Sequence, residues 1–208
     1  MDRITVAINL MERFAERTGL VGSAPPRRYL WTDAYAVCVY LSLYRSLAEP
    51  AYLDLARDLV AQVHRVLGHQ VAGPGAGRPL GHRDEAEWVA HPTAAGLRIG
   101  KPMPERPPGA FLDQRLEWER DGQYFHYLTR WMHALVRCAE VSGSRLYHRW
   151  AVELCRASLA FVAWDPHGRP VSMAWKRSVN LDRVLVDSMG QHDPLDGWIT
   201  AEELAASR

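Results

Sequence analysis

The chain has 208 residues, enough for one sizeable core or two small ones, and 48% of them are apolar, too many for a disordered segment. Twenty-five basic and 24 acidic side chains leave a formal net charge of +1, so there is no electrostatic case for a nucleic acid or an acidic membrane surface as partner. Arg outnumbers Lys 23 to 2.

Asp2, Arg3, Glu12, Arg13, Glu16 and Arg17 break up the first stretch, leaving no apolar core for a secretory signal. No stretch approaches the roughly 18 apolar residues of a membrane span. Cys38, Cys138 and Cys155 sit inside helical patterns and form no C-x-x-C, which fits buried thiols and a cytoplasmic location.

Taken in order, residues 3–17 predict an amphipathic helix with Ile4, Ala7, Ile8 and Met11 on one face, ended by the Gly and Pro residues of 19–26. Residues 33–48, capped by Thr32 or Asp33, are apolar nearly all round, as suits an inner helix walled by neighbours. After Glu49-Pro50, residues 51–67 give an amphipathic helix, and the two make an antiparallel αα-hairpin.

Residues 68–121 hold 8 of the 15 glycines and 7 of the 13 prolines, so they predict a long ordered loop laid over one end of the helices. A second hairpin follows, with helices over 122–141 and 145–163. Tyr124, Tyr127, Leu128, Trp131 and Leu135 give the first of these its buried stripe. Residues 163–176 alternate around Asp165-Pro166-His167-Gly168, the pattern of a small β-hairpin. Asp193-Pro194 then opens a further helix, Asp as N-cap and Pro at the first helical position. The expected fold is all-α: repeated αα-hairpins in a partial toroid, with one long loop and one β-hairpin.

Four segments carry a family resemblance: 27–37 (RRYLWTDAYAV), 91–102 (HPTAAGLRIGKP), 121–135 (DGQYFHYLTRWMHAL) and 188–200 (SMGQHDPLDGWIT). They are similar to stretches of the six-hairpin glycosidase-like proteins, the (α/α) toroids. That family includes glycoside hydrolases, uronyl hydrolases, polysaccharide lyases and sugar epimerases. A full toroid of this kind has six hairpins, and this chain supplies about two and a half. The resemblance therefore implies a single domain over 1–208, incomplete at its C-terminus. Either the chain is a truncated member of the family, or its ring is closed by a second copy or by another chain.

The same resemblance implies a saccharide pocket at the N-terminal ends of the inner helices. Asp121 and Asp193 are the preferred carboxylates there, with Asp33 in support and Glu119, or its neighbour Glu117, as the acid. Capping is the competing role for each Asp at a helix start. Trp31, Tyr35, Trp88, Trp118, Tyr124 and Trp198 offer flat faces to a sugar, and Gln191 offers a polar contact. Arg98 and Lys101 suit a substrate carboxylate. His126 and His192 are the acid/base candidates if the reaction is an epimerisation. His126 and His133 lie seven apart without a recognised ligand spacing, so no metal and no cofactor are expected. Three readings stay open: a glycoside hydrolase with paired carboxylates, an epimerase-like isomerase with His acid/base chemistry, and a non-catalytic binding module.

Overall fold

The computed structural model describes residues 2–207, with every side chain but that of His82; positions 1 and 208 of the expected domain lie outside the described residues. Eight α-helices occur among the described residues: α1 Arg3–Arg17, α2 Leu30–Leu47, α3 Pro50–Leu67, α4 Glu85–Ala90, α5 Gln114–Glu119, α6 Phe125–Ser142, α7 Arg145–Ser158 and α8 Asp193–Ala206. Five short strands accompany them: β1 Gln123–Tyr124, β2 Val162–Trp164, β3 Pro170–Met173, β4 Lys176–Arg177 and β5 Val184–Val186. The fold is a partial (α/α) toroid. Helices α2, α6 and α8 form the inner arc, each packed on the next, and α1, α3 and α7 back it from outside.

The turns explain the asymmetry of the arc. Helix α2 ends at Ala48 in the left-handed region (φ 55), and Pro50, whose missing N–H costs nothing at a first helical position, starts α3 at once. Gly143 (φ 69) closes α6 just as abruptly before α7. These inner-to-outer turns are short. The outer-to-inner connections are long, over residues 68–122 and 159–192, and both lie against the N-terminal ends of the inner helices.

The aspartates at these helix starts are not placed as the sequence predicts. Tyr29, not Asp33, is the N-cap of α2; Asp33 lies a turn inside and its Oδ2 accepts the Tyr29 N–H at 2.8 Å. Asp121 lies four residues ahead of α6, whose N-cap is Tyr124, because Gln123 and Tyr124 are drawn into a strand. Asp193 is the first residue of α8, with His192 at the cap. The expected helix 145–163 breaks after Ser158 into a 3-10 turn and then β2.

The β-hairpin β2–β3 is present, turning where Asp165 Oδ1 accepts from the His167 and Arg169 amides at 2.9 Å each. A second sheet, of order β1-β4-β5, is absent from the sequence reading. It pairs Tyr124 with Lys176 and so ties the start of α6 to the loop after β3.

One core runs through the arc, including Val37, Leu41, Leu59, Val63, Leu128, Trp131 and Leu135. Its largest side chain, Trp131, is fully buried and donates its indole N–H to His64 Nε2 at 3.1 Å. The His64 ring also meets Trp150 edge-on at 5.0 Å. Burial pushes the His64 imidazole down to about 3, so it stays neutral and serves as the indole's acceptor. On α8, by contrast, Leu195, Trp198 and Ile199 are more than half exposed.

The His64 arrangement has a pH signature. An imidazole in the unfolded chain takes up its proton near pH 6.5, but the folded one only near 3. The unfolded state therefore binds the extra proton between those values, and folding loses about 1.4 kcal/mol per pH unit to this residue as the pH falls. In urea titrations at pH 7 and pH 5, His64→Gln should lose less stability across the interval than the parent chain. Equal losses would show that the His64 contribution is absent.

Candidate functional site

The N-terminal ends of α2, α6 and α8 meet at His126. Its ring stacks on Tyr124 (5.4 Å, 19°) and faces Trp175 in parallel at 6.3 Å (12°). Trp31 of α2 and Tyr127 approach it edge-on at 5.8 and 4.9 Å. Asp193 of α8 brings Oδ1 to 3.7 Å from His126 Nδ1. The cluster extends through Tyr35, 5.5 Å from Trp31, and through Tyr29, whose hydroxyl lies 2.5 Å from that of Tyr127. On the other side Trp118 meets Trp175 edge-on at 4.8 Å. A cleft of about 330 Å³ adjoins this cluster, walled by Glu117, Trp118, Tyr124, Trp175 and Asp187; His126, Trp31 and Asp193 lie behind or beside that wall and do not line it.

Charge is unusual around this cleft. Burial holds His126 down at about 4, with Asp196 opposing and Arg130 adding to the effect, so the imidazole is neutral over the physiological range. Burial and the nearby Asp196 raise the Asp193 carboxyl, whose Oδ2 has no hydrogen-bond partner. Below the aromatic floor lies a buried network. Lys176 Nζ donates to Glu117 Oε1 at 2.9 Å, to the Glu117 carbonyl at 2.7 Å and to the Arg120 carbonyl at 2.8 Å. Arg106 Nε donates to Glu117 Oε2 at 3.0 Å. Both oxygens of Glu117 are thus committed to cations, which removes it from the role of free acid.

Asp121 is committed in the same way. It is buried; its Oδ2 accepts from Arg98 Nη1, and its Oδ1 accepts from the Gly100 and Lys101 amides at 3.0 and 3.4 Å. Arg98 spends its remaining donors on the His69 and Val66 carbonyls, at 2.6 and 2.7 Å. Asp33 is also buried, 3.7 Å from Arg28 Nη1, and burial raises its carboxyl to about 6 despite that cation. Asp33 and Asp121 therefore face ion-pair partners, not the cleft.

Of the other sequence-named residues, Trp31, Tyr35, Trp118, Tyr124, His126, Asp193 and Lys101 come together. Lys101 Nζ lies 5.6 Å from the Trp118 ring centre and 5.9 Å from that of Tyr124. Trp88 is elsewhere, packed at 4.4 Å on His69. Glu119, Gln191, His192 and Trp198 are exposed, and His133 pairs with Glu203 at 2.7 Å further down α6. The sequence reading leaves Trp175, Lys176, Tyr29 and Tyr127 off the site. One signal was available: the chain has two lysines, and the structure puts both beside Tyr124.

Among the described residues no cluster of three or more His, Cys, Asp or Glu could hold a metal ion, and no helix is long and apolar enough to cross a membrane. The three cysteines are free, Cys138 fully buried and the others half-buried.

No family model and no curated protein matches the sequence. Among solved structures the chain is similar to one described as "Crystal structure of D-mannose isomerase", with a TM-score of 0.60 at 13% identity. The match covers 98% of this chain and 49% of that one, so the chain spans about half that protein's length. At this identity the likeness establishes the fold alone.

The placement of Asp121 has a measurable consequence. Asp121→Asn would leave the Arg98 guanidinium buried without its counter-charge, and breaking such a pair typically costs about 3–5 kcal/mol. Urea unfolding should register a loss of that order. A loss under about 1 kcal/mol, the scale of a helix cap, would return Asp121 to the pool of free carboxylates.

Proposed function

We propose that this chain is part of a carbohydrate-active enzyme that isomerises a sugar, with His126 as the acid/base group. The observation that carries this reading is the setting of His126: a neutral imidazole among stacked aromatic rings, beside a carboxylate, at the junction of three inner helices. The D-mannose isomerase neighbour supports a sugar as the ligand without identifying it.

Isomerisation of an open-chain aldose needs no water and no pair of carboxylates. A base removes the proton on C2, the C2–H electrons form the C1–C2 double bond of an enediol, and the carbonyl oxygen O1 gains a proton. The O2 hydroxyl then gives up its proton as C2 becomes the carbonyl carbon, and the base returns a proton to C1. A neutral imidazole can both accept and return that proton, and Asp193 stands where a positive charge would develop on it. The faces of Trp31, Tyr124 and Trp175 suit the C–H surface of a sugar and keep the transfer out of bulk water.

The glycoside hydrolase reading requires two carboxylates across one bond. Asp121 and Glu117 are held by cations, Asp33 lies against Arg28, and Asp196, the carboxylate neighbouring Asp193, is paired with Arg130 at 3.0 Å. The geometry supports the hydrolase less well than the isomerase.

Deuterium uptake at C2 of D-mannose and other aldohexoses in heavy water, with the ketose followed in parallel, tests the proposal. His126→Ala should lower exchange by at least about 10²-fold, the usual worth of a positioned base. Because His126 accepts a proton only as the free base, activity should fall as the pH drops through about 4, not through 6.5. Glycoside cleavage without C2 exchange, or full exchange in His126→Ala, would sink the isomerase reading.

A further inference from the structure

The arc of helices is open at both ends, and those ends differ from the rest of its helical surface. Six helices have 14 residues or more: α1, α2, α3, α6, α7 and α8. Among the described residues these six expose eight large apolar side chains, and six of the eight lie on α1 and α8, the two ends of the arc. They are Ile4, Val6 and Leu10 on α1, and Leu195, Trp198 and Ile199 on α8; the four helices between expose only Tyr35 and Leu146. Apolar side chains exposed singly need no explanation, but sets gathered on one helix mark a surface that something covers.

Each set makes a stripe. On α8, Asp193, Thr200 and Leu204 are buried, where the helix packs on α6. At about 3.6 residues per turn, Leu195, Trp198 and Ile199 project from the opposite side, and the exposed Glu202 continues their stripe with an acid. On α1, Met11 and Ala15 are the buried residues. Val6 and Leu10 fall on another side of that helix, between Arg3 and Arg13, both exposed. One end of the arc thus carries an apolar stripe ending in an acid. The other carries an apolar stripe flanked by arginines.

We propose that a second copy of this chain covers both stripes, α8 of each copy lying on α1 of the other, so that two arcs close one ring. A contact between unlike faces repeats from copy to copy; it closes a ring if the rotation allows, and otherwise extends as a filament. The fold match points to a rotation near a half-turn. It takes in 98% of this chain and 49% of the D-mannose isomerase structure, so two copies supply about the length of that one helical toroid. Charge agrees with the pairing of unlike ends, since Glu202 meets a face that carries Arg3 and Arg13, which steers the two stripes together. Trp198 is the natural anchor, because large aromatic side chains carry much of the energy of such interfaces. The inference stands apart from the role given to His126, and a different experiment reads it.

Sedimentation and light scattering of the full chain over a range of concentrations test the proposal. The parent should give one discrete species of about 47 kDa, twice the 23.6 kDa of a single chain. Trp198→Glu and Leu10→Glu alter exposed positions, so each should keep its fold by circular dichroism, and each should halve the mass where the parent is a dimer. Mixed in equal amounts, the two variants should recover a dimer, because one α8–α1 contact of the pair then joins two unaltered faces. Pairing of like faces predicts the reverse: Leu10→Glu alone would leave an α8–α8 dimer whole. Four results would overturn the proposal: a parent that stays monomeric, a ladder of ever larger species, full dimerisation of either variant alone, or no recovery in the mixture.

Discussion

The ion pair between Arg98 and Asp121 holds the rest of this structure in place. Both groups are buried, and burying two charges is unfavourable unless their attraction is backed by further hydrogen bonds. Here it is. Arg98 reaches back to the Val66 and His69 carbonyls at the end of α3, and Asp121 collects the amides of Gly100 and Lys101. One pair therefore ties the end of an outer helix, the middle of the long loop and the approach to an inner helix. Gln123, fully buried, adds a second tie: its carboxamide accepts from the Leu97 amide at 2.9 Å and donates to the carbonyls of Ala95 and Val179 at 3.0 and 2.8 Å. Gly96, at φ +78, is the cost of that closeness, since a Cβ there would come within 1.9 Å of the Gln123 oxygen.

From this constraint the site follows. With short turns at one end of the arc and long connections at the other, the side chains of the candidate site gather where the long connections are pinned. The loop 68–122 delivers Lys101 and Trp118, and the segment after α7 delivers Trp175 and Lys176 through strand pairing with β1. Only then do Tyr124 and His126 have walls. The aromatic rings are placed by backbone that the buried polar groups hold, not by contacts among the rings alone.

The same principle separates the carboxylates that cations hold from Asp193. Glu117 and Asp121 accept hydrogen bonds from lysine or arginine, Asp33 lies 3.7 Å from Arg28 with its Oδ1 unsatisfied, and Asp193 turns Oδ1 toward His126 and leaves Oδ2 unsatisfied. An Asp before an apolar helix looks alike in all these cases when read along the chain. What distinguishes them is whether a cation reaches the carboxylate, Arg28 from just upstream for Asp33 and residues of more distant segments for Glu117 and Asp121.

The sequence by itself determined the helices, their pairing into hairpins and which helix is inner, because burial on one side or all sides writes a period or its absence into consecutive residues. It marked the glycine- and proline-rich span as poor in helix, though two short helices, α4 and α5, lie within it, and it set Trp31, Tyr124 and His126 at helix starts. Tertiary structure alone decided the caps, the sheet β1-β4-β5 and the partners of each acid. Lys176 meets Glu117 across 59 residues, Arg98 meets Asp121 across 23 and His126 meets Asp193 across 67. No local pattern records such distances, because a charge is satisfied by whatever the folded chain brings within a few ångströms of it, not by its neighbours in sequence.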